Sequence, residues 1–262
     1  DLTKDPVSVT LAAADKLGPI AINETLGLAY VADNTAGKIQ VFNLATNTLS
    51  STITVTMPTQ LTYTITDSIF VTATSEVYFT TSVGKVFYIS SGGTTATMIN
   101  IDPLNKLNLV ALAPFTTGSF IYVVDATTPA VIKISTSSHT VITSSIDISA
   151  NPSPTDIVIT QVTNPSATYA FVSGAVTPNG GISVINTSND EVFNLGTKEG
   201  VLRQPFPVSA LPSVLAASSS TDGIVYMGFS TGKVGIVTDK PFVTISSVTF
   251  SDGSSTLKEN QS

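Results

Sequence analysis

Five segments of this 262-residue chain repeat one pattern, and that repetition limits the fold more than any single motif does. Each segment centres on a tyrosine: Tyr30, Tyr78, Tyr122, Tyr169 and Tyr226, spaced 44 to 57 residues apart. The clearest copy is LAYVADNTAGKIQVFNLATNTLSSTITV, residues 28–55. Its first run, 28–33, is apolar and aromatic and ends at Asp33-Asn34-Thr35-Ala36-Gly37, residues that favour chain reversal. Residues 38–44 then alternate with period two, Ile39 and Val41 on one face and Gln40, Phe42 and Leu44 on the other. A second turn at 45–48 leads into LSSTITV, whose β-branched residues suit a pleated surface. Strands this short cannot bury a core alone and need neighbours of the same kind.

The other copies supply them. After each tyrosine comes a turn and a second apolar run, at 82–89, 127–134, 178–185 and 230–237. Three of the five units place Gly-Lys before Ile or Val: Gly37-Lys38-Ile39, Gly84-Lys85-Val86 and Gly232-Lys233-Val234. The spacing predicts a hairpin whose Gly supplies positive φ and whose Lys blunts the start of the strand. A third, Thr-rich run follows each hairpin, and a further apolar run precedes each tyrosine, at 19–23, 68–74, 107–113, 156–160 and 213–219. Four strands per unit of about 40–50 residues is the pattern of propeller blades. The expectation is an all-β protein: a β-propeller of five four-stranded blades, with six as the alternative. The strand at 7–11 would pair with the last blade and close the ring. Residues 1–250 form one propeller domain in this reading, and 251–262 a tail or the start of another domain. Insertions are expected at 57–67 and 194–212, the second carrying Lys198, Glu199 and Arg203 in a chain that is otherwise poor in charge.

Units of the form "apolar strand, Tyr-Val-Ala-Asp, turn, Gly-Lys-Ile-x-Val, turn, Thr-rich strand" resemble the YVTN-type β-propeller repeats, related to NHL and WD40 propellers. The resemblance covers residues 19–248 and is strongest in the first repeat. It implies the propeller fold. It is poor for function, because that family includes surface-layer proteins, binding modules and a few enzymes.

Composition narrows the function. Net charge is −7 with a single arginine, Arg203, so no basic stripe exists to neutralise phosphates, and nucleic acid is excluded as a partner. No apolar run approaches the length of a membrane-spanning helix. Charged residues are only 11%, while Ser and Thr make up roughly a quarter of the chain, a bias of exposed, extracellular β proteins. With no cysteine there is no thiol chemistry.

The chemical inventory is thin. Gly228-Phe229-Ser230-Thr231-Gly232 fits the nucleophile-elbow pattern, but that motif needs a following helix and here a strand pattern follows. His139 is the only histidine, in a Ser-Ser-His turn, and reads as a solvated surface residue. Without a second His or any Cys, no metal or other cofactor is expected. Asp33 and Asp125 occupy the same repeat position, where turn capping outweighs calcium binding or catalysis. Asn23, Asn186 and Asn260 begin N-glycosylation sequons, relevant if the protein is exported.

From these features the sequence predicts a non-catalytic, extracellular recognition or adhesion propeller on a cell or virion surface, not an enzyme. Its partner would be a cell-surface glycan or protein, met through Asp33, Asn34, Asp125, Lys198, Glu199 and Arg203. Two alternatives stand beside it: a structural component assembling with neighbouring surface-layer subunits, and a propeller hydrolase or lactonase.

Overall fold

The computed structural model describes residues 16–57, 62–102, 104, 106–115, 117–163, 166–176, 179–193, 206–208, 210–217, 223–229, 231–237 and 246–248. The expected ring-closing strand at 7–11, the charged segment 198–203, Asn260 and the tail at 251–262 lie outside them. The first sheet runs in the order β1 (Leu17–Asn23), β2 (Leu28–Asp33), β3 (Lys38–Asn43) and β4 (Thr48–Thr54). The second is β5 (Ile65–Val71), β6 (Glu76–Thr81), β7 (Lys85–Ile89) and β8 (Thr97–Asn100). The third is β9 (Leu109–Pro114), β10 (Phe120–Asp125), β11 (Ala130–Ser135) and β12 (Val141–Asp147). The fourth comprises β13 (Pro154–Thr163), β14 (Ser166–Val176), β15 (Asn179–Asn186), β16 (Glu191–Phe193) and β17 (Phe206–Val208). The fifth is β18 (Pro212–Ala217), β19 (Val225–Phe229), β20 (Val234–Val237) and β21 (Ser246–Val248). Chain contacts divide the molecule into two compact units, one of residues 1–127 and 133–144, the other of 128–132 and 145–262.

The turns explain the repeat. Gly37, Gly84 and Gly232 all have φ near +60° to +80° in the hairpin after the tyrosine strand, as the Gly-Lys motif predicts. A second left-handed position sits in the following turn, filled by Asn47, His139 and Asp190. These are residue types that tolerate positive φ because a short polar side chain can bond locally.

In the first unit a core packs sheet one against sheet two. Tyr30, Ala32, Ile39, Val41 and Ile53 meet Ile65, Val77, Phe79, Phe87 and Ile89. In the second unit Phe171, Ile182 and Val208 meet Leu215, Val225, Met227 and Phe229. Tyr30, Tyr78 and Tyr122 are fully buried, on strands buried along both faces. Tyr226 is 42% exposed, because β19 alternates and covers one face among the described residues.

The first strand of every sheet carries a bulge. The ladder skips Gly18-Pro19, Thr66, Val110, Thr155 and Ser213, each opposite the strand that bears the tyrosine. A bulge twists the strand and re-aims the side chains around it. In sheet two it turns Thr66-Asp67 onto the next sheet. Thr66 Oγ1 donates to the Leu109 carbonyl at 2.5 Å, and Leu112 N donates to Asp67 Oδ2 at 2.9 Å. Sheet four repeats this with Thr155-Asp156: Thr155 Oγ1 donates to Pro212 O at 3.2 Å and Leu215 N to Asp156 Oδ2 at 2.6 Å. Sheet one reaches sheet two differently, through Asn34, whose amide brackets both backbone groups of Ile65 at 2.7 and 3.2 Å.

Three expectations change. The insertion expected over 57–67 ends sooner, because Ile65, Thr66 and Asp67 already belong to β5. The stretch 194–212 is not wholly a loop. β16 pairs with Val184–Asn186 and β17 with Gly180–Ile182, so the outer strand of sheet four comes in two pieces around residues 194–205. Lys85 does not blunt an exposed strand: it is 2% exposed, with Nζ donating to Asn100 Oδ1 at 2.8 Å and to the Asp102 carbonyl. Asp102 in turn accepts the backbone N–H groups of Leu104, Lys106 and Leu107.

Two consequences are measurable. Asp156→Ala should cost about 2 kcal/mol, since it strands buried N–H donors, and Thr155→Val about 1 kcal/mol; urea unfolding at neutral pH checks both. The two carboxylates should also show opposite pH linkage. Burial pushes Asp156 above its ordinary 3.8, against the pull of the Leu215 and Ile157 N–H groups. Its contribution therefore grows as pH falls toward 3.8, and the gap between wild type and Asp156→Ala widens. Burial alone would raise Asp102 too, but the N–H groups of Leu107, Leu104 and Lys106, with the Lys85 charge, hold it below 3.8. Its stabilisation is complete above that value and is lost below it, so the gap between wild type and Asp102→Asn closes at lower pH.

Candidate active site

Of the residues predicted as a recognition surface, the three that are described, Asp33, Asn34 and Asp125, are engaged within turns or against a neighbouring strand. Asp33 is buried, its Oδ1 accepting Thr35 N and Ala36 N at 3.0 and 3.1 Å and its Oδ2 accepting Gln40 Nε2 at 3.3 Å. Asp125 is equally buried, and its Oδ1 accepts Thr127 N at 2.9 Å and Asn108 N at 3.1 Å. Asn34 is half-buried against Ile65. Of the sequon residues, Asn23 is buried, with Oδ1 capping Leu26 N at 3.0 Å. Asn186 Oδ1 accepts Ser188 N at 3.0 Å and the Ser188 hydroxyl at 2.7 Å. Among the described residues no group of three or more His, Asp or Glu side chains could hold a metal ion, and no helix is long and apolar enough to cross a membrane.

The chemistry gathers instead around His139. It occupies the left-handed position of the turn between β11 and β12, with φ of 53°. The turn is held by Ser135, whose Oγ accepts Ser138 N at 3.3 Å. That backbone presents the imidazole to Glu76, the first residue of β6, which follows Ser75, itself left-handed with φ of 54°. His139 Nε2 lies 3.1 Å from Glu76 Oε1 and 3.2 Å from Oε2. The Tyr78 hydroxyl donates to Oε2 of the same carboxylate at 2.5 Å. Tyr88, directly across the ladder from Tyr78, stacks on the imidazole with centroids 3.8 Å apart and planes 5° from parallel.

Each group has a defined electrostatic part. Glu76 is mostly enclosed, its side chain 10% exposed, whereas that of His139 is 24% exposed and open to a reactant. An ionised carboxylate accepts only, so the neutral imidazole bonded to it carries its proton on Nε2 and its lone pair on Nδ1. Burial raises the Tyr78 phenol well above its ordinary value, and the bond to Glu76 and its negative charge raise it further. Tyr78 therefore stays protonated and remains a donor to Glu76. The arrangement is an oriented base: a histidine fixed by a carboxylate, the carboxylate fixed by a phenol, and one ring face covered.

The sequence could not show this cluster. His139 and Glu76 are 63 residues apart, in different repeat units, and neither belongs to a recurring motif. The sole available signal is that His139 fills a turn position taken by Asn47 and Asp190 elsewhere, a backbone requirement rather than a chemical one.

No protein-family model matches the chain, and no curated protein matches it by sequence. Solved structures do. The dihydro-heme d1 dehydrogenase NirN, solved in complex with DHE, superimposes with a TM-score of 0.69 at 9% identity, over 89% of this chain and 48% of that one. Hydrazine synthase of Kuenenia stuttgartiensis gives 0.62 at 12% identity, over 84% and 64%. A Bacteroides uniformis protein assigned as a 6-phosphogluconolactonase gives 0.64 at 15% identity, over 87% and 69%. The chain thus spans about half the length of the first of these proteins. The expectation of a non-catalytic surface adhesin is corrected here, because propellers that this chain resembles include a dehydrogenase and a protein assigned as a lactonase by name. At 9–15% identity they establish the fold and leave the chemistry to the residues. With five antiparallel sheets among the described residues, four of them four-stranded and one with its outer edge in two pieces, this chain is an all-β protein of the β-propeller fold.

Proposed function

We propose that the chain is a propeller hydrolase built from YVTN-type repeats, cleaving an ester or lactone with His139 as general base. The observation that carries this reading is the Glu76–His139 pair: the single histidine of the sequence is held at Nε2 by a mostly enclosed carboxylate. His139 Nδ1 takes a proton from water as the water oxygen bonds to the carbonyl carbon. Glu76 stabilises the imidazolium that forms. The tetrahedral intermediate then expels the alkoxide, which takes the proton back from Nδ1, giving an acid and an alcohol. Tyr78 keeps the Glu76 carboxylate in place through this cycle, and Tyr88 keeps the imidazole plane.

A water nucleophile suits this chain better than a serine or thiol. Gly228 and Phe229 end the strand β19, the next described element is the strand β20 rather than a helix, and there is no cysteine. The names of the similar propellers support a catalytic role, one of them through an assigned lactone-hydrolysing activity.

The test is hydrolysis of a panel of aryl esters and γ- and δ-lactones by the purified chain. His139→Asn keeps a residue that tolerates positive φ and removes the base. It should lower kcat/KM at least about 100-fold, the low end of general-base contributions. Glu76→Gln should lower kcat, with circular dichroism unchanged in both variants. No turnover across the panel, or turnover indifferent to His139→Asn, refutes the proposal.

A further inference from the structure

Two N-glycosylation sequons fall among the described residues, and the fold treats their asparagines differently. Asn23, in Asn23-Glu24-Thr25, is fully buried at the end of β1, with Oδ1 accepting Leu26 N at 3.0 Å and Nδ2 enclosed by protein. No enzyme reaches that nitrogen while sheet one is folded. Asn186, in Asn186-Thr187-Ser188, ends β15 where the chain turns toward β16. It is half-buried, while Ser188 and Asn189 beyond it are exposed. Thr187 anchors the turn, its N–H and its Oγ1 both donating to the Thr168 carbonyl, at 3.1 and 2.7 Å. The bonds to the Asn186 carboxamide, from Ser188 N and the Ser188 hydroxyl, both fall on Oδ1, and Nδ2 is left without a partner among the described residues. That nitrogen is the atom N-glycosylation modifies, and the hydroxyl two residues on is part of what the transferase reads.

The same face of sheet four offers a sugar a place to lie. Residues opposite one another in an antiparallel ladder share a face and stand within side-chain reach. Tyr169 is opposite Asn186, and Phe193 is opposite Val184, which precedes Asn186 by two residues and so shares its face. The Tyr169 and Phe193 rings meet edge to face, with centroids 5.6 Å apart and planes at 65°. Phe193 remains 39% exposed and Tyr169 is half-buried, so aromatic surface stays open beside the carboxamide. A pyranose carries C–H groups on one face, and the negative face of an aromatic ring attracts them.

We propose that Asn186 carries an N-linked glycan whose first sugar packs on Tyr169 and Phe193, and that Asn23 stays unmodified in the folded chain. The co-reactant is a lipid-diphosphate-linked oligosaccharide. The bond from Asn186 Nδ2 to the anomeric carbon forms, the bond from that carbon to the diphosphate oxygen breaks, and the nitrogen's proton passes to a base of the transferase. The test uses the folded full chain with Asn260→Gln, which removes the third sequon. It is incubated with an oligosaccharyltransferase and its lipid-linked donor, and the modified sites are read by glycopeptide mass spectrometry. One glycan is expected, on Asn186. Ser188→Ala should abolish it and Ser188→Thr retain it, and because Ser188 is exposed both variants should melt close to the parent. A synthetic peptide of residues 19–27 should accept the glycan at Asn23, since burial rather than sequence protects that site. With the glycan trimmed to its first sugar, the melting midpoint should rise by about 2 °C over the unmodified chain, the shift one aromatic contact gives in a chain of this size. Phe193→Ala should be modified equally and lose that rise. A folded chain left bare at Asn186, or modified as readily at Asn23, overturns the site, and a peptide refused at Asn23 overturns the burial argument. An absent rise, or one that Phe193→Ala leaves intact, overturns the sugar contact.

Discussion

Each sheet of this chain begins with a strand that cannot pair evenly with its neighbour, and that irregularity is what the rest of the structure rests on. The bulge at Thr66 or Thr155 places two consecutive polar side chains where one would otherwise follow the ladder. The threonine donates and the aspartate accepts, so the pair satisfies a carbonyl and an N–H on the first strand of the following sheet. Hydrophobic burial brings the sheets together without fixing their relative register, since apolar contact is non-directional. Directional bonds from a half-buried carboxylate fix it. The compensation is imperfect at Asp156, where burial raises the carboxyl despite its N–H partners. Charge-assisted bonds thus offset a desolvation cost, and the gain is specificity of docking more than raw stability.

The candidate site depends on that register. Glu76 lies at the start of β6 and His139 at a turn of the next sheet, so a carboxylate–imidazole distance of 3.1 Å holds only if sheets two and three dock in one position. Thr66 and Asp67 secure that position from the first strands. Tyr88 then limits the imidazole to one plane. A scaffold of repeated sheets gives such a site rigidity without dedicating an extra element to it, and the imidazole is carried by a turn, where sequence is free to vary, against groups held on β6 and β7.

Most of the fold was legible because it rests on local rules. The run 28–33, its turn and the alternating 38–43 read directly as strand, hairpin and strand, and β2 and β3 occupy those residues. Gly-Lys marked the hairpin correctly because positive φ is a backbone property that glycine reports. The same dipeptide misled about Lys85, since a local pattern does not say what will cover a side chain. There Asn100 and Asp102 arrive from β8 and just beyond it, and the amine is enclosed. Residues 194–212 misled in a similar way: three prolines hid the short β17, which completes an edge begun by β16. His139 and Glu76 were illegible for a further reason. Their meeting is a product of sheet docking, and nothing within either repeat unit encodes it.

The docking bonds can be observed one amide at a time. Leu112 N and Leu215 N donate to aspartates of the preceding sheet, at 2.9 and 2.6 Å. Native-state hydrogen exchange followed by NMR should place both among the slowly exchanging amides, opening only with their sheets. In Asp67→Ala, Leu112 alone of the two should lose its protection, and in Asp156→Ala, Leu215 alone. If both amides exchange as freely as those of exposed turns in the unaltered protein, the sheets are not joined through these aspartates and the account fails.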